Sequence, residues 1–262
     1  MLAILSFLYG ASLGSFVQVL VTRLHVANVL NARSKCLSCG TAIKWYDLVP
    51  VVSYLVLRGK CRECKSSFGV ASLITEMLFG AVFLCVYYTV LLGRGVHVSS
   101  VLWLIYYTLF VVILGVITLY DLKHKMIPNI FFVMFLLLSF FTMIGRYVVE
   151  HNPYIFLAPF VVALPFTVAY LVTKGKALGF GDILMYLAVG GFLGMEQGVA
   201  VLILSVWIGG IVGVFLHLKN RKMYSMKTAL PFVPFITLAF LIVLFTEIDI
   251  ISIGHMFTWW YY

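Results

Sequence analysis

Eight stretches of this chain are apolar over lengths that a soluble domain cannot accommodate: roughly 1 to 21, 71 to 92, 100 to 120, 127 to 149, 154 to 173, 183 to 195, 199 to 218 and 229 to 246. In lipid, every backbone N–H and C=O must be satisfied within the spanning element itself, so an apolar run of about 20 residues reads as a helix that crosses the hydrocarbon core. The composition agrees, with 63% hydrophobic residues, 10% charged residues and a mean hydropathy of +1.11; a soluble globular domain has about 25% charged residues. The fold expected is therefore all-α, a polytopic membrane protein of about eight transmembrane helices. The sixth run is short, and its Gly190, Gly191 and Gly194 predict close packing against neighbours or a start below the membrane surface. The first run has no basic segment before it and no small-residue cleavage site after it, so it is expected to be a retained span. The chain then divides into a first span (1–21), one sizeable polar loop (22–70) and a seven-span membrane domain (71–262).

A formal net charge of +9 raises nucleic acid as a partner, but the distribution of the charges points elsewhere. With residue 1 placed outside, the inside loops hold eight basic residues between Arg23 and Lys65, then Lys123 and Lys125, Lys174 and Lys176, and finally Lys219, Arg221, Lys222 and Lys227. Only Arg94 and Arg146 fall outside. The positive-inside rule thus predicts both termini outside and the 22–70 loop in the cytoplasm. Topology accounts for the charge, membrane lipid is the expected surrounding, and no nucleic acid is called for.

The polar loop carries Cys36-Leu37-Ser38-Cys39 and, after 21 intervening residues, Cys61-Arg62-Glu63-Cys64. Two C-x-x-C pairs at such a distance predict a tetrahedral zinc site, and four thiolates would close its coordination sphere, making the metal structural. Two disulfides are the alternative, and a cytoplasmic position counts against them. The segment Trp45 to Leu55 between the pairs is too short and mixed to span; it is expected on the membrane surface or packed on the knuckle. Cys85 lies inside an apolar run and is expected to be a small buried residue.

Carboxylates are scarce here, and two of them stand at span ends. Asp121 closes the third run, and Asp182 follows Gly179-Phe180-Gly181 at the mouth of the sixth. An ionisable group beside a hydrophobic segment marks a functional site by default, and parity of the spans puts both aspartates on one membrane face. A pair of that kind suits acid and base work on a shared proton. Asp121 ends its own helix, where backbone carbonyls carry partial negative charge, whereas Asp182 begins one, so the expectation is that Asp182 acts as base and Asp121 as acid, with Lys123 and Lys125 pulling the other way. Gly179 and Gly181 would let a substrate backbone approach. Glu76, six residues into the second run, either pairs with a nearby lysine or takes part in chemistry. A carboxylate-based proton- or ion-coupled transporter and a zinc-knuckle scaffold compete with a peptidase. Transporters tend to place charge near the midplane and to show related halves. Here the aspartates sit at span ends and no repeat is apparent.

The ordered series resembles the bacterial type IV prepilin peptidases, membrane aspartic proteases with a G-x-G-D motif. Gly14-Ser15-Phe16 with Arg23-Leu24, both cysteine pairs, Tyr46-Asp47, Pro50-Val51, Ser53-Tyr54-Leu55, Arg58 to Arg62, Glu76, Asp121, Ile127-Pro128, Gly179 to Asp182 and Pro231-Phe232 carry the resemblance over nearly the whole chain. It departs from the family pattern at Gln18 and Leu48, where Asn is common, at Val233, where Gly is common, and at Asn129, where Asp is frequent. The resemblance implies cleavage of the basic leader of prepilins and pseudopilins after a glycine, at the cytoplasmic face of the inner membrane. It further implies N-methylation of the new N-terminus with S-adenosylmethionine, with Asp47 and Glu76 in the region concerned.

Overall fold

The computed structural model describes residues 1–24, 34–36, 38–92, 98–176, 178–219 and 230–249. Arg33, Arg94, the basic residues 221–227 and the carboxyl-terminal segment used in the topology argument lie outside the described residues. What is described is helical, with no β-strand among the described residues and only two isolated β-bridges. Among the described residues nine α-helices run α1 Leu2–Arg23, α2 Val52–Leu57, α3 Ala71–Val86, α4 Val98–His124, α5 Asn129–Glu150, α6 Ala158–Thr173, α7 Phe180–Leu193, α8 Met195–Lys219 and α9 Val233–Thr246. All but α2 match the eight apolar runs. Six of these segments are long and apolar enough to cross a membrane, while α7 and α9 have 14 residues each. A 14-residue helix is about 21 Å long against a hydrocarbon core of about 30 Å.

The chain divides within α4 into two compact units, Met1–Val116 and Ile117–Tyr262. In the first, the small residues of α1 face α3. A Cβ on Gly10 would come within 2.5 Å of the Phe79 carbonyl oxygen, and one on Gly14 within 2.9 Å of that of Thr75, so the glycines set the helix separation as small residues do between membrane helices. The Ser6 hydroxyl donates to the Phe83 carbonyl at 2.9 Å along the same seam. Cys85, expected to be buried, is exposed on α3; residues 79, 83 and 86 take the inward face and position 85 falls off it.

In the second unit α7 is the buried element, with nine of its 14 residues inaccessible. A helix that is apolar all round and packed on every side needs close neighbours, and the glycines supply them: a Cβ on Gly190 would meet the Ala158 carbonyl at 2.8 Å, and one on Gly191 the Ser139 hydroxyl at 2.5 Å. Buried hydroxyl groups in this core are paired, as apolar surroundings require, while Arg146 Nη1, beside Gly194, is buried without a hydrogen-bond partner among the described residues. Ser139 donates to the Ala188 carbonyl at 2.7 Å, Tyr186 and Ser205 share a hydrogen bond of 2.6 Å, and Thr118 and Thr237 one of 2.7 Å. Gly194, at φ 88, alone joins the carboxyl-terminal end of α7 to α8.

Candidate active site and cysteine knuckle

Asp121 lies one turn from the end of α4 and is only 6% exposed. The helix stops because Lys125 turns into the left-handed region, at φ 55, and its N–H closes on the Asp121 carbonyl at 2.8 Å. The carboxylate does not face that negative helix end alone. Its Oδ2 accepts the N–H of Val233, the first residue of α9, at 3.3 Å. Initial N–H groups of a helix have no partner within it, and Pro234 at the next position has none to offer, so the Val233 amide is a natural donor. The helix-end argument that separated the two aspartates therefore loses its force, since both carboxylates sit at helix amino termini.

Asp182 is the third residue of α7 and its Oδ2 accepts the Gly179 N–H at 3.2 Å. This is the acidic half of a capping box, which holds the side chain back over the helix start. A Cβ on Gly179 would stand 3.3 Å from that oxygen, and one on Gly181 would stand 2.7 Å from Ile127 Cδ1. The space at Gly181 is filled by this chain's own isoleucine, not left open. Both carboxylates line one cavity of about 490 Å³, together with Lys125, Asn129 and the apolar side chains of Phe132, Leu184 and Phe232. Two carboxylates, each held by one backbone N–H and sharing a mostly apolar recess, can serve as paired acid and base on a water and a peptide carbonyl.

The four sulfurs of Cys36, Cys39, Cys61 and Cys64 lie within 4.8 Å of one another, Cys36 and Cys64 at 3.8 Å. Zinc–sulfur bonds of about 2.3 Å in a tetrahedron put sulfurs about 3.8 Å apart; a disulfide needs about 2.05 Å. The two C-x-x-C turns repeat each other 25 positions apart. Cys36 N–H donates to Thr41 and Cys61 N–H to Ser66, Gly40 donates back to Cys36 as Lys65 does to Cys61, and the bridges Lys35 to Ala42 and Lys60 to Ser67 close each turn. N–H groups of Cys39 and then Ser38 point at the Cys36 sulfur and bring its thiol down to about 6, which favours the thiolate that a metal binds. The local repeat was readable as Lys-Cys-x-x-Cys followed by Gly-Thr in one turn and Lys-Ser in the other.

Two family models match this chain. One, described as the bacterial peptidase A24 N-terminal domain, covers residues 8–90, and the other, described as the type IV leader peptidase family, covers residues 108–214. The chain belongs to the type IV leader peptidase family. Among its relatives are proteins named prepilin leader peptidase/N-methyltransferase. The one from Vibrio cholerae is 29% identical over 89% of this chain and 92% of its own length. That from Legionella pneumophila is 28% identical over 86% and 76%, and that from Bacillus subtilis 28% over 89% and 90%. No solved structure matches. Nothing in these matches supports a transporter.

The remaining leader peptidase motifs meet at the base of the loop. Glu76, in α3 and 6% exposed, accepts the Val51 N–H at 2.8 Å and the Ser72 hydroxyl at 3.3 Å. Val51 stands at φ 63 and ψ −52, and the Val52 N–H reaches back to the Pro50 carbonyl at 2.6 Å. That is a γ-turn of the strained, positive-φ form, held on a β-branched residue that seldom enters this region. No sequence signal marks it beyond the proline. Asp47 takes a two-pronged hydrogen bond from Arg62 at 2.6 and 3.0 Å, and the guanidinium holds its carboxyl below the usual range. Arg62 also lies over the Tyr46 ring at 5.3 Å, and Tyr54 packs edge-on to Phe68 at 6.0 Å, so the segment between the cysteine pairs rests on the second knuckle. Among the departures from the family pattern, Gln18 accepts from Thr75 at 3.4 Å. Val233 meets Asp121 through its backbone, so its side chain does not alter that contact.

Proposed function

We propose that this chain is a membrane aspartic endopeptidase that removes the basic leader of type IV prepilins and pseudopilins after a glycine and N-methylates the new N-terminus. The observation that carries the reading is the single cavity shared by Asp121 and Asp182, within a family whose members bear that name. One carboxylate takes a proton from water as the water oxygen bonds to the scissile carbonyl carbon, and the other carboxyl gives its proton to the carbonyl oxygen. Collapse of the resulting diol breaks the C–N bond, and the leaving amine takes up a proton. Gly179 and Gly181 support the pair, the first by its N–H and the second by admitting Ile127. The apolar walls would hold the hydrophobic residues of the substrate and exclude bulk water.

The cysteine set fits zinc by donor type and spacing: Cys36, Cys39, Cys61 and Cys64 would hold it, and the metal would tie the two turns together and contribute folding energy to the loop. S-adenosylmethionine, when bound, would supply a methyl group to the new amine. Asp47 and Glu76 belong to the methyl-transfer region as positioning groups, since each carboxylate is already engaged by Arg62 or Val51. The division proposed is a first span (1–21), a cytoplasmic knuckle loop (22–70) and a membrane domain (71–262) carrying the dyad, in the bacterial inner membrane with both termini outside. The test is incubation of the purified chain with a prepilin-like peptide and labelled S-adenosylmethionine, scoring cleavage and methylation separately. Cleavage with methyl incorporation is expected; neither product would overturn the reading.

A further inference from the structure

The second knuckle carries charge that the first does not. At the turn position where the first has Gly40, at φ 70, the second has Lys65, at φ 58, a backbone conformation that glycine adopts freely and a lysine does not. Lys65 therefore adds an ammonium group at a turn position where the first knuckle has no side chain. With Arg58 and Lys60 it lines a pocket of about 320 Å³ whose other walls are Val56, Leu57, Cys61 and Arg62. Arg62 is committed to Asp47, and among the described residues the other three cations form no ion pair. The apolar rim continues along one face of α2. Val52, Leu55 and Val56, at i, i+3 and i+4, are 49%, 63% and 69% exposed, while Tyr54 turns inward onto Gly59 and Phe68.

We infer that this face, α2 with the second knuckle, seats on the membrane by taking an anionic phospholipid headgroup between Arg58, Lys60 and Lys65, with Val52, Leu55 and Val56 entering the acyl boundary. An apolar helix face bordered by cations is the pattern of an interfacial anchor, and it binds in proportion to buried apolar area plus attraction to anionic lipid. Charge complementarity selects the occupant: a pocket walled by cations attracts an acidic headgroup and repels a basic leader. Seating would fix the height of the loop above α3, which carries Glu76. The inference rests on the proposed membrane orientation for its cellular meaning, but its test does not, because symmetric vesicles offer the same lipid on both sides.

The experiment reconstitutes the full chain in phosphatidylcholine vesicles with and without phosphatidylglycerol and follows amide hydrogen exchange over residues 52–66. Exchange is expected to slow when the anionic lipid is present. Each of Arg58→Gln, Lys60→Gln and Lys65→Gln is expected to weaken seating by about fivefold, and the triple variant to exchange as in pure phosphatidylcholine. High ionic strength on the unmodified chain should reproduce that loss without any mutation, and Leu55→Ser with Val56→Ser should reduce protection while leaving the cations in place. Equal exchange in both lipids, protection that survives high salt, or protection produced by inorganic phosphate alone would overturn the inference, and none of these outcomes depends on peptidase activity.

Discussion

Replacing Glu76 with Ala should release the base of the knuckle loop from α3. The carboxylate receives the Val51 N–H at 2.8 Å in a site only 6% exposed, and a hydrogen bond to a charged group contributes about 1.5–3 kcal/mol. Against it stands the strain of Val51 at φ 63, which costs about 1–3 kcal/mol for a residue in a sparsely populated backbone region. The two magnitudes are comparable, so this contact offsets the strain of the turn. Its loss should make local opening of α2 about 10- to 150-fold more frequent, read as faster amide exchange over residues 51–57. Glu76→Gln keeps an acceptor at about half the strength and should raise exchange only about 4- to 12-fold. Adding Val51→Gly to Glu76→Ala removes the Cβ penalty at positive φ and should slow exchange again. Methylation should fall with the loosened loop while cleavage is largely kept. Exchange at the wild-type rate in Glu76→Ala, or no rescue by glycine at position 51, would refute the reasoning.

Gly181→Ala places a Cβ 2.7 Å from Ile127 Cδ1, the far end of a side chain that must swing away beside Asp182; cleavage should drop while the fold is kept, and Ile127→Val, which removes that methyl, should restore part of it. Serine at any one of Cys36, Cys39, Cys61 or Cys64 should remove a single bound zinc and unsettle residues 34–68 more than the peptidase, checked by metal analysis beside the cleavage assay; purified protein without zinc would exclude the metal site. Arg62 depresses the Asp47 carboxyl, so the pair's contribution is fully present above the usual carboxylate range and is lost only as pH falls through the lowered value. Arg62→Lys, which cannot form the planar two-pronged contact, should shift that loss to higher pH, followed by amide exchange of residues 45–48.

Much of this was legible because lipid imposes severe rules. The eight apolar runs became eight helices with ends close to those expected, and parity of the spans brought Asp121 and Asp182 within reach of one cavity. Gly190 and Gly191 read as close-packing positions and stand against Ala158 and Ser139, since small residues have few other uses between membrane helices. Long-range contacts through the backbone were not legible. Nothing in Pro231-Phe232-Val233-Pro234 announces that the Val233 N–H serves an aspartate more than a hundred positions away, although a proline at a helix start does advertise a scarcity of donors. The γ-turn at Val51 was hidden for the same reason: valine argues against positive φ, and only tertiary contact with Glu76 overrides that preference. Cys85 misled because an apolar run in a membrane protein has an outer face that is as apolar as its core.

The central claim is that Asp121 and Asp182 act as one catalytic unit, and cleavage of a prepilin-like peptide by Asp121→Asn, Asp182→Asn and the double variant, each shown to insert normally, tests it most directly. Each single substitution should lower cleavage by at least about a hundredfold, the scale of a lost general acid or base. The double variant should be no worse than either single one, because groups that act as a unit are not additive. Robust cleavage by either well-inserted single variant would contradict the account.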